Sequence, residues 1–590
     1  MWQARFWSRN LRGLILASVA LVLLFMVACG GAATATPEPV ATPAVTAPTS
    51  TPAPGEVPTA TPAVAPAAPV TAKVQQLQIA ITPPIVELVL GWMGTTVDAN
   101  LQVRHFAEPL VETDRTTGEL VPGLATDWEM TKPDGTQWTF RLRKDIPFHG
   151  EWGEFTSRDV VHSVAMIVQP DAIATDTGLF RGMWGQTVDD IYQMIETPDD
   201  HTVVFNLLRP EADLPFVASG QQGNMFIYSK AQFDAEGIPG YERAAAGTGP
   251  WRFVERQLGT SVTYQRVENH YRKTPEFEGF RLLRVPEAAT RLAMMLSGQA
   301  HISEIDRDLH QQAVDRGMKV ANSQLPSIQL AYVIGGVYQP YMPTYDPAVP
   351  ALDPRVREAI NRAVNRQELM DTIFAGQGEL QPVWGFHPSL PGWNPRWAEE
   401  FEAKYGYDPE RARELLREAG YPNGFPIKVL ITQLPGTPEM ITMAEALLGY
   451  LENVGIQPEA EEIEWARYRS DYYVPAKTHN TIAPIRGTYR PPEVTVRFYN
   501  LTGPEGFQRI IVDPAVDEKY YETIESVDPD FRAQRLREIG DLNFDLYSQV
   551  PLVWLPGQVV INPNIVAEFI YPGNINGPIS HIEYIKPVAK

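Results

Sequence analysis

One cysteine serves the whole chain of 590 residues. It is Cys29, directly behind an apolar run, so the body that follows contains no internal disulfide, no zinc–thiolate centre and no cysteine nucleophile. Whatever this chain folds into is held by packing and polar contacts alone. The run before the cysteine, Leu14 to Ala28, follows Arg5, Arg9 and Arg12 with no acid among them. A basic start, an apolar stretch of about 15 residues and a small residue at its end make a secretory signal. Crossing ~30 Å of hydrocarbon takes about 20 residues, so the run is short for a membrane span.

Met26-Val27-Ala28-Cys29 is similar to a bacterial lipobox, although Leu is more usual where Met26 stands. The expectation is a signal peptide over 1–28 and a lipid on Cys29. From 29 to 73 the chain is dominated by Ala, Pro and Thr, with no aromatic residue. Such a stretch has too little apolar surface to offset its ordering entropy, and its prolines favour extended polyproline II. It reads as a tether that holds a folded body off a membrane.

That body has roughly 515 residues, too many for one simple core, which predicts two or three lobes. With 44% hydrophobic and 10% aromatic residues the material for packed cores is ample. The net charge of −22 argues against nucleic acid or anionic lipid as a partner held by bulk electrostatics.

Strands and helices alternate along the body. Trp138 to Arg143 has the period-2 alternation of a half-buried strand, behind a Pro133-Asp134-Gly135 turn. Thr202 to Leu207 and Ser261 to Val267 read the same way. Thr156 with Asp159 three residues later predicts a capping box and a helix. Asp353-Pro354 and Asp408-Pro409 each place a cap and a first-turn proline before an apolar stripe. Met440 to Val454 is a further amphipathic stretch, closed by Gly455. This mixture predicts α/β lobes.

Several segments together resemble the family 5 extracellular solute-binding proteins, the dipeptide and oligopeptide binders of ABC importers. They are Glu108-Pro109-Leu110-Val111-Glu112, Gly118 to Glu129, Trp138 to Lys144, Pro147-Phe148-His149, Thr156 to Ser163, Gly247-Thr248-Gly249-Pro250-Trp251, Asn269-His270-Tyr271, Pro286 to Ala293, Leu296 to Ala300, Asp353 to Ile360 and Asp408 to Ala412. Each is weak alone; their order and spacing carry the likeness over about 76–590. The resemblance implies a two-lobed, type II periplasmic-binding-protein-like α/β fold with an extra subdomain inserted in the first lobe. It implies a first lobe of 74–115, 245–322 and 546–590, an inserted subdomain of 116–244 and a second lobe of 323–545. It also implies a monomer that closes on a small solute and delivers it to a membrane permease, without a cofactor.

In peptide binders of this family an aspartate of the second lobe pairs with the peptide's amino terminus. The matching region here, Ile482 to Glu493, has no aspartate; Arg486 and Arg490 stand in it, with Glu493 as its only acid. A guanidinium repels an ammonium and suits a carboxylate or phosphate. The expected ligand is a peptide or similar oligomer, with an oligosaccharide or an anionic solute as the alternative. Trp384, Phe386 and Trp393, with Tyr489 facing them, are candidate stacking walls, and Trp92 is a candidate from the first lobe. A structural reading stands beside each: the arginines on the surface, the aromatics in a core.

An enzyme is not expected. The ten histidines are scattered, with no H-E-x-x-H, and there is no G-x-S-x-G elbow and no phosphate loop. Gly247-Thr248-Gly249-Pro250 reads as a turn, and adjacent acids such as Glu461-Glu462 point apart. A surface hydrolase whose carboxylates converge from distant positions is the remote alternative.

Overall fold

Two strands carry the architecture, because each is long enough to belong to two lobes. Lys319–Gly335 has 17 residues and Gln549–Ile561 has 13; at ~3.3 Å per residue the first extends about 55 Å. They run antiparallel beside each other. The computed structural model describes residues 72–590 apart from 83–90, 94–98, 173, 175, 223, 336–344, 435–436, 438, 474–477, 502–512, 576 and 578. The expected signal peptide, Cys29 and nearly all of the expected tether lie outside the described residues.

Around the long pair an eleven-stranded sheet extends both ways. On one side Gln76–Ile81 pairs in parallel with Ile302–Ser303 and Gly279–Arg284, and Ser261–Arg266 and Trp251–Gln257 complete that half. On the other, Thr481–Thr488 joins the C-terminal half of Lys319–Gly335, followed by parallel Pro426–Ile431 and Gln457–Glu462. A separate antiparallel sheet of Ala125–Lys132, Gln137–Leu142, Thr202–Asn206 and Ile195–Asp199 lies within the expected insertion. Two large apolar cores follow this division. Leu77, Phe140, Trp184 and Tyr264 are buried in one, and Leu330, Ile360, Val429 and Ile482 in the other.

The long pair changes lobes where it cannot hold register. Pro326 stands opposite Pro556, and the register shifts on both sides of Pro326. Neither proline has an N–H to give a ladder bond, so the sheet loosens there and can bend. Residues 549–555 still pair with 328–333, so the strand passes between the two halves of the sheet near Pro556.

Local signals in the sequence formed as written. Thr156 caps Ser157–Ile167, with the Asp159 carboxylate accepting from its backbone N–H at 2.8 Å and its hydroxyl at 3.0 Å. Asp353 accepts from Arg355 N–H at 2.9 Å and starts Pro354–Ala363. Asp408 accepts from Arg411 N–H at 2.9 Å and starts Pro409–Glu418. Gly455, at φ +93°, ends the turn after Met440–Asn453.

Three of the segments that carried the family likeness, at Glu108, Thr248 and Tyr271, meet in the first lobe. Glu108, fully buried, accepts from the Thr248 hydroxyl at 2.9 Å, the Tyr271 hydroxyl at 3.1 Å and Arg272 Nη2 at 3.0 Å. Arg272 reaches Glu583 at 2.6 Å, and Arg104 reaches Glu112 at 2.7 Å. Gly247 is required beside them, since a Cβ there would sit 2.0 Å from the Phe106 carbonyl oxygen.

Candidate functional site

Next to the proline crossing lies a cavity of about 270 Å³ with walls from both lobes. Its floor is the crossing itself, at Ser327, Ile328, Gly557 and Gln558. The first lobe contributes Thr82, Glu304 and Asp306 with Arg291 and Arg307; the second contributes Gln433, Thr437 and Arg486. A larger cavity of about 550 Å³, over His149 and Tyr271, has no lining residue from the second lobe.

The charges of the interlobe cavity fall into two groups. Arg291 is spent on structure: it donates to the carbonyls of Val285 at 2.9 Å, Pro286 at 2.6 Å and Glu304 at 2.6 Å, and to Asp306 Oδ1 at 2.7 Å. Arg307 spans the molecule, donating to Pro556 O at 2.8 Å on the crossing and pairing with Glu439 of the second lobe. Among the described residues, its Nε and the second oxygen of Glu439 are buried without a hydrogen-bond partner.

Glu304 and Arg486 face the cavity from opposite lobes. One Glu304 oxygen accepts from Thr82 N–H at 3.0 Å. Burial raises the Glu304 pKa, opposed by that hydrogen bond and by Arg291 and Arg486. Burial pushes Arg486 down to about 10, with Tyr499 and Glu304 acting the other way.

The expected aromatic walls lie elsewhere. Trp384, 1% exposed, meets Tyr499 edge-on at 5.4 Å. Phe386 and Trp393 both pack edge-on against Trp397, at 5.0 and 5.3 Å. Trp92 is buried between Tyr228 and Tyr241, at 5.1 and 6.1 Å. Their faces are used by other rings, and none lines the 270 Å³ cavity. Tyr489 does face the Trp384–Trp393 segment: its hydroxyl bonds Ser389 at 2.6 Å and its ring meets His387 at 5.6 Å. Arg490 lies over Phe498 at 5.0 Å. Of the candidates read from the sequence, Arg486 alone lines this cavity.

Glu304, Arg307 and Glu439 were not singled out in the sequence. The available signal was the charge run Glu304-Ile305-Asp306-Arg307-Asp308 immediately after a buried two-residue strand. Among the described residues no group of three or more His, Cys, Asp or Glu could hold a metal ion, and no helix is long and apolar enough to cross a membrane.

Comparison with known proteins bears on this arrangement. The family model described as bacterial extracellular solute-binding proteins, family 5 Middle, matches residues 119–503. The dipeptide-binding protein of Escherichia coli (strain K12) is 27% identical over 394 residues, 64% of this chain and 69% of that one. The dipeptide-binding protein from Pseudoalteromonas sp. SM9913, solved with Met-Leu, superposes with a TM-score of 0.70 at 18% identity, covering 86% of this chain and 99% of the other. MoaA of A. tumefaciens R10, solved with mannopinic acid, gives 0.68 at 20% identity, over 87% and 100%. The fold is the two-lobed, type II periplasmic-binding-protein fold with a subdomain inserted in its first lobe.

Proposed function

This chain belongs to the family 5 bacterial extracellular solute-binding proteins, and we propose that it captures short peptides and delivers them to the permease of an ABC importer. The observation that carries the reading is the interlobe cavity, where Glu304 of one lobe faces Arg486 of the other. A short peptide is a zwitterion: its carboxylate suits a guanidinium, and its ammonium suits a carboxylate. The cavity of about 270 Å³ is small beside the ~300–1,000 Å³ of drug-sized ligand pockets. That favours a di- or tripeptide over a long chain. Two relatives named as dipeptide-binding proteins agree with this choice. Binding is non-covalent, needs no cofactor, and is the work of a monomer.

The signal and tether complete the reading. A lipid on Cys29 and a polyproline-rich leash keep loaded protein near its permease and raise the effective concentration there. Fractionation of cells carrying Cys29→Ser tests this: the variant leaves the membrane, and retention equal to the parent rules the anchor out.

A thermal-shift screen of the full chain tests the ligand. A ligand bound only by the folded state raises Tm with its saturation. Free di- and tripeptides are expected to raise Tm, and N-acetylated dipeptides to raise it less. A rise with organic acids or oligosaccharides and none with peptides overturns the peptide reading. An anionic solute is the second reading, favoured by one observation: Glu493, the only acid of the 482–493 segment, is engaged by Arg532 at 2.6 Å.

A further inference from the structure

Away from the cavity, the inserted subdomain meets the second lobe along a patch that the reading above does not use. Arg532, on the helix Pro529–Asp545, holds Asp213 of the subdomain with two terminal nitrogens, one at 3.0 Å. The same guanidinium reaches Glu493 of the second lobe at 2.6 Å. Three residues past Asp213, Phe216 is 5% exposed. It packs in the apolar core of the second lobe, whereas Leu214 and Val217, on the same short helix, pack in the core of the first lobe and subdomain. Asp176 of the subdomain faces Arg497 of the second lobe at 3.9 Å.

We propose that this patch is a closure latch, in which Arg532 clamps Asp213 while Phe216 seats in the second lobe. It holds the cleft shut by contacts that need no ligand, and so governs how readily any captured solute is released. The proposal is independent of the peptide reading, because the latch is the same whatever fills the cavity.

Two features give the latch its strength. The side chains of Arg532, Asp213 and Glu493 are 15, 23 and 9% exposed, so their charges are partly desolvated and less screened than a surface pair. One guanidinium also neutralises two carboxylates. Removing it leaves Asp213 and Glu493 facing each other, which opposes closure as well as ceasing to favour it. Phe216 adds a buried aromatic anchor, the residue type on which interface energy concentrates. The two halves of the latch are 319 residues apart in the chain and belong to different lobes.

The absence of other cysteines makes the test direct. In the full chain carrying Cys29→Ser, Leu208→Cys and Tyr407→Cys place spin labels on exposed positions of the subdomain and the second lobe. Inter-label distances are measured by pulsed electron resonance without ligand. The parent is expected to show one dominant short distance. Arg532→Gln and Phe216→Ala are each expected to move weight to longer distances, with about a tenfold fall in the closed-to-open ratio. Distributions that superpose on the parent's overturn the latch. Circular dichroism checks that each variant is folded, and Arg532→Lys, which keeps the charge, is expected to fall between parent and Arg532→Gln. If Arg532→Gln does not fold, Phe216→Leu carries the measurement, and an unchanged distribution there is equally decisive.

Discussion

The charged network around Glu108 and the charged contacts between the lobes use the same residue types to opposite ends. Around Glu108 every partner belongs to the first lobe. Glu108 accepts from Thr248, Tyr271 and Arg272, and Arg272 also bonds Glu583. At the lobe boundary each pair is divided between two bodies: Arg307 with Glu439, and Arg532 with Asp213. The first kind of network ties one lobe to itself; the second joins two lobes. Buried charge therefore plays two parts, and what distinguishes them is whether the partners share a lobe.

The largest effect is expected at Arg272. Arg272→Gln leaves Glu108 and Glu583 buried without their guanidinium, a loss of about 3–5 kcal/mol. Urea unfolding should record it, while ligand affinity per folded molecule stays near the parent's. A variant of parental stability would mean the network is ornamental.

Acidity separates the two regions next. In the first lobe burial raises Glu108 and Glu583, but His270 and Arg272 beside the one and Arg272 beside the other outweigh it and hold both at about 2. Burial holds His105, His149 and His581 at about 4. The histidines stay neutral in the fold, so the unfolded chain takes up protons first below about 6.5, and the carboxylates follow below about 4.5. Stability is then lost progressively as pH falls from about 6.5 towards 2. At the boundary the sign reverses. Burial, then the neighbouring Asp213, raises Glu211 and Glu493, and burial raises Asp176. A carboxyl with a raised pKa weakens the closed form at high pH and is relieved as pH falls. Between pH 7.5 and 6 the closed population should grow as Glu211 is protonated, and below pH 6 the melting temperature should fall as the first-lobe groups take over. Melting and label distances measured across that range check both signs; a parallel response would merge the two regions.

The smallest effect is expected at Arg307. Arg307→Gln removes the pair with Glu439 beside the hinge, and a half-open protein releases solute faster. Titration calorimetry with the best peptide of the screen should show about a tenfold loss of affinity. Affinity within twofold of the parent would confine the control of closure to the subdomain patch.

Much of the fold was legible in the sequence because it rests on neighbours in the chain. Asp353, Asp408 and Thr156 cap helices with groups two or three residues away, and Gln137–Leu142 alternates because one face is buried. Proline meeting proline at 326 and 556 was beyond reach, since only the register of two distant strands brings them together. The candidate site divides in the same way. Arg486 was visible as an arginine where an acid was expected, and it does line the cavity. Trp384, Phe386 and Trp393 carry the composition of a binding wall, but composition does not say which side of a ring is covered, and here Tyr499 and Trp397 cover them.

By itself, then, the sequence pointed to a two-lobed α/β body with no cysteine of its own, and placed that body among the family 5 solute binders. Only the tertiary structure decided which charges are locked within a lobe and which are shared between lobes. The physical reason is range: capping, alternation and turn chemistry act within a few residues, whereas the pairing of Asp213 with Arg532 depends on how two separately packed bodies come together.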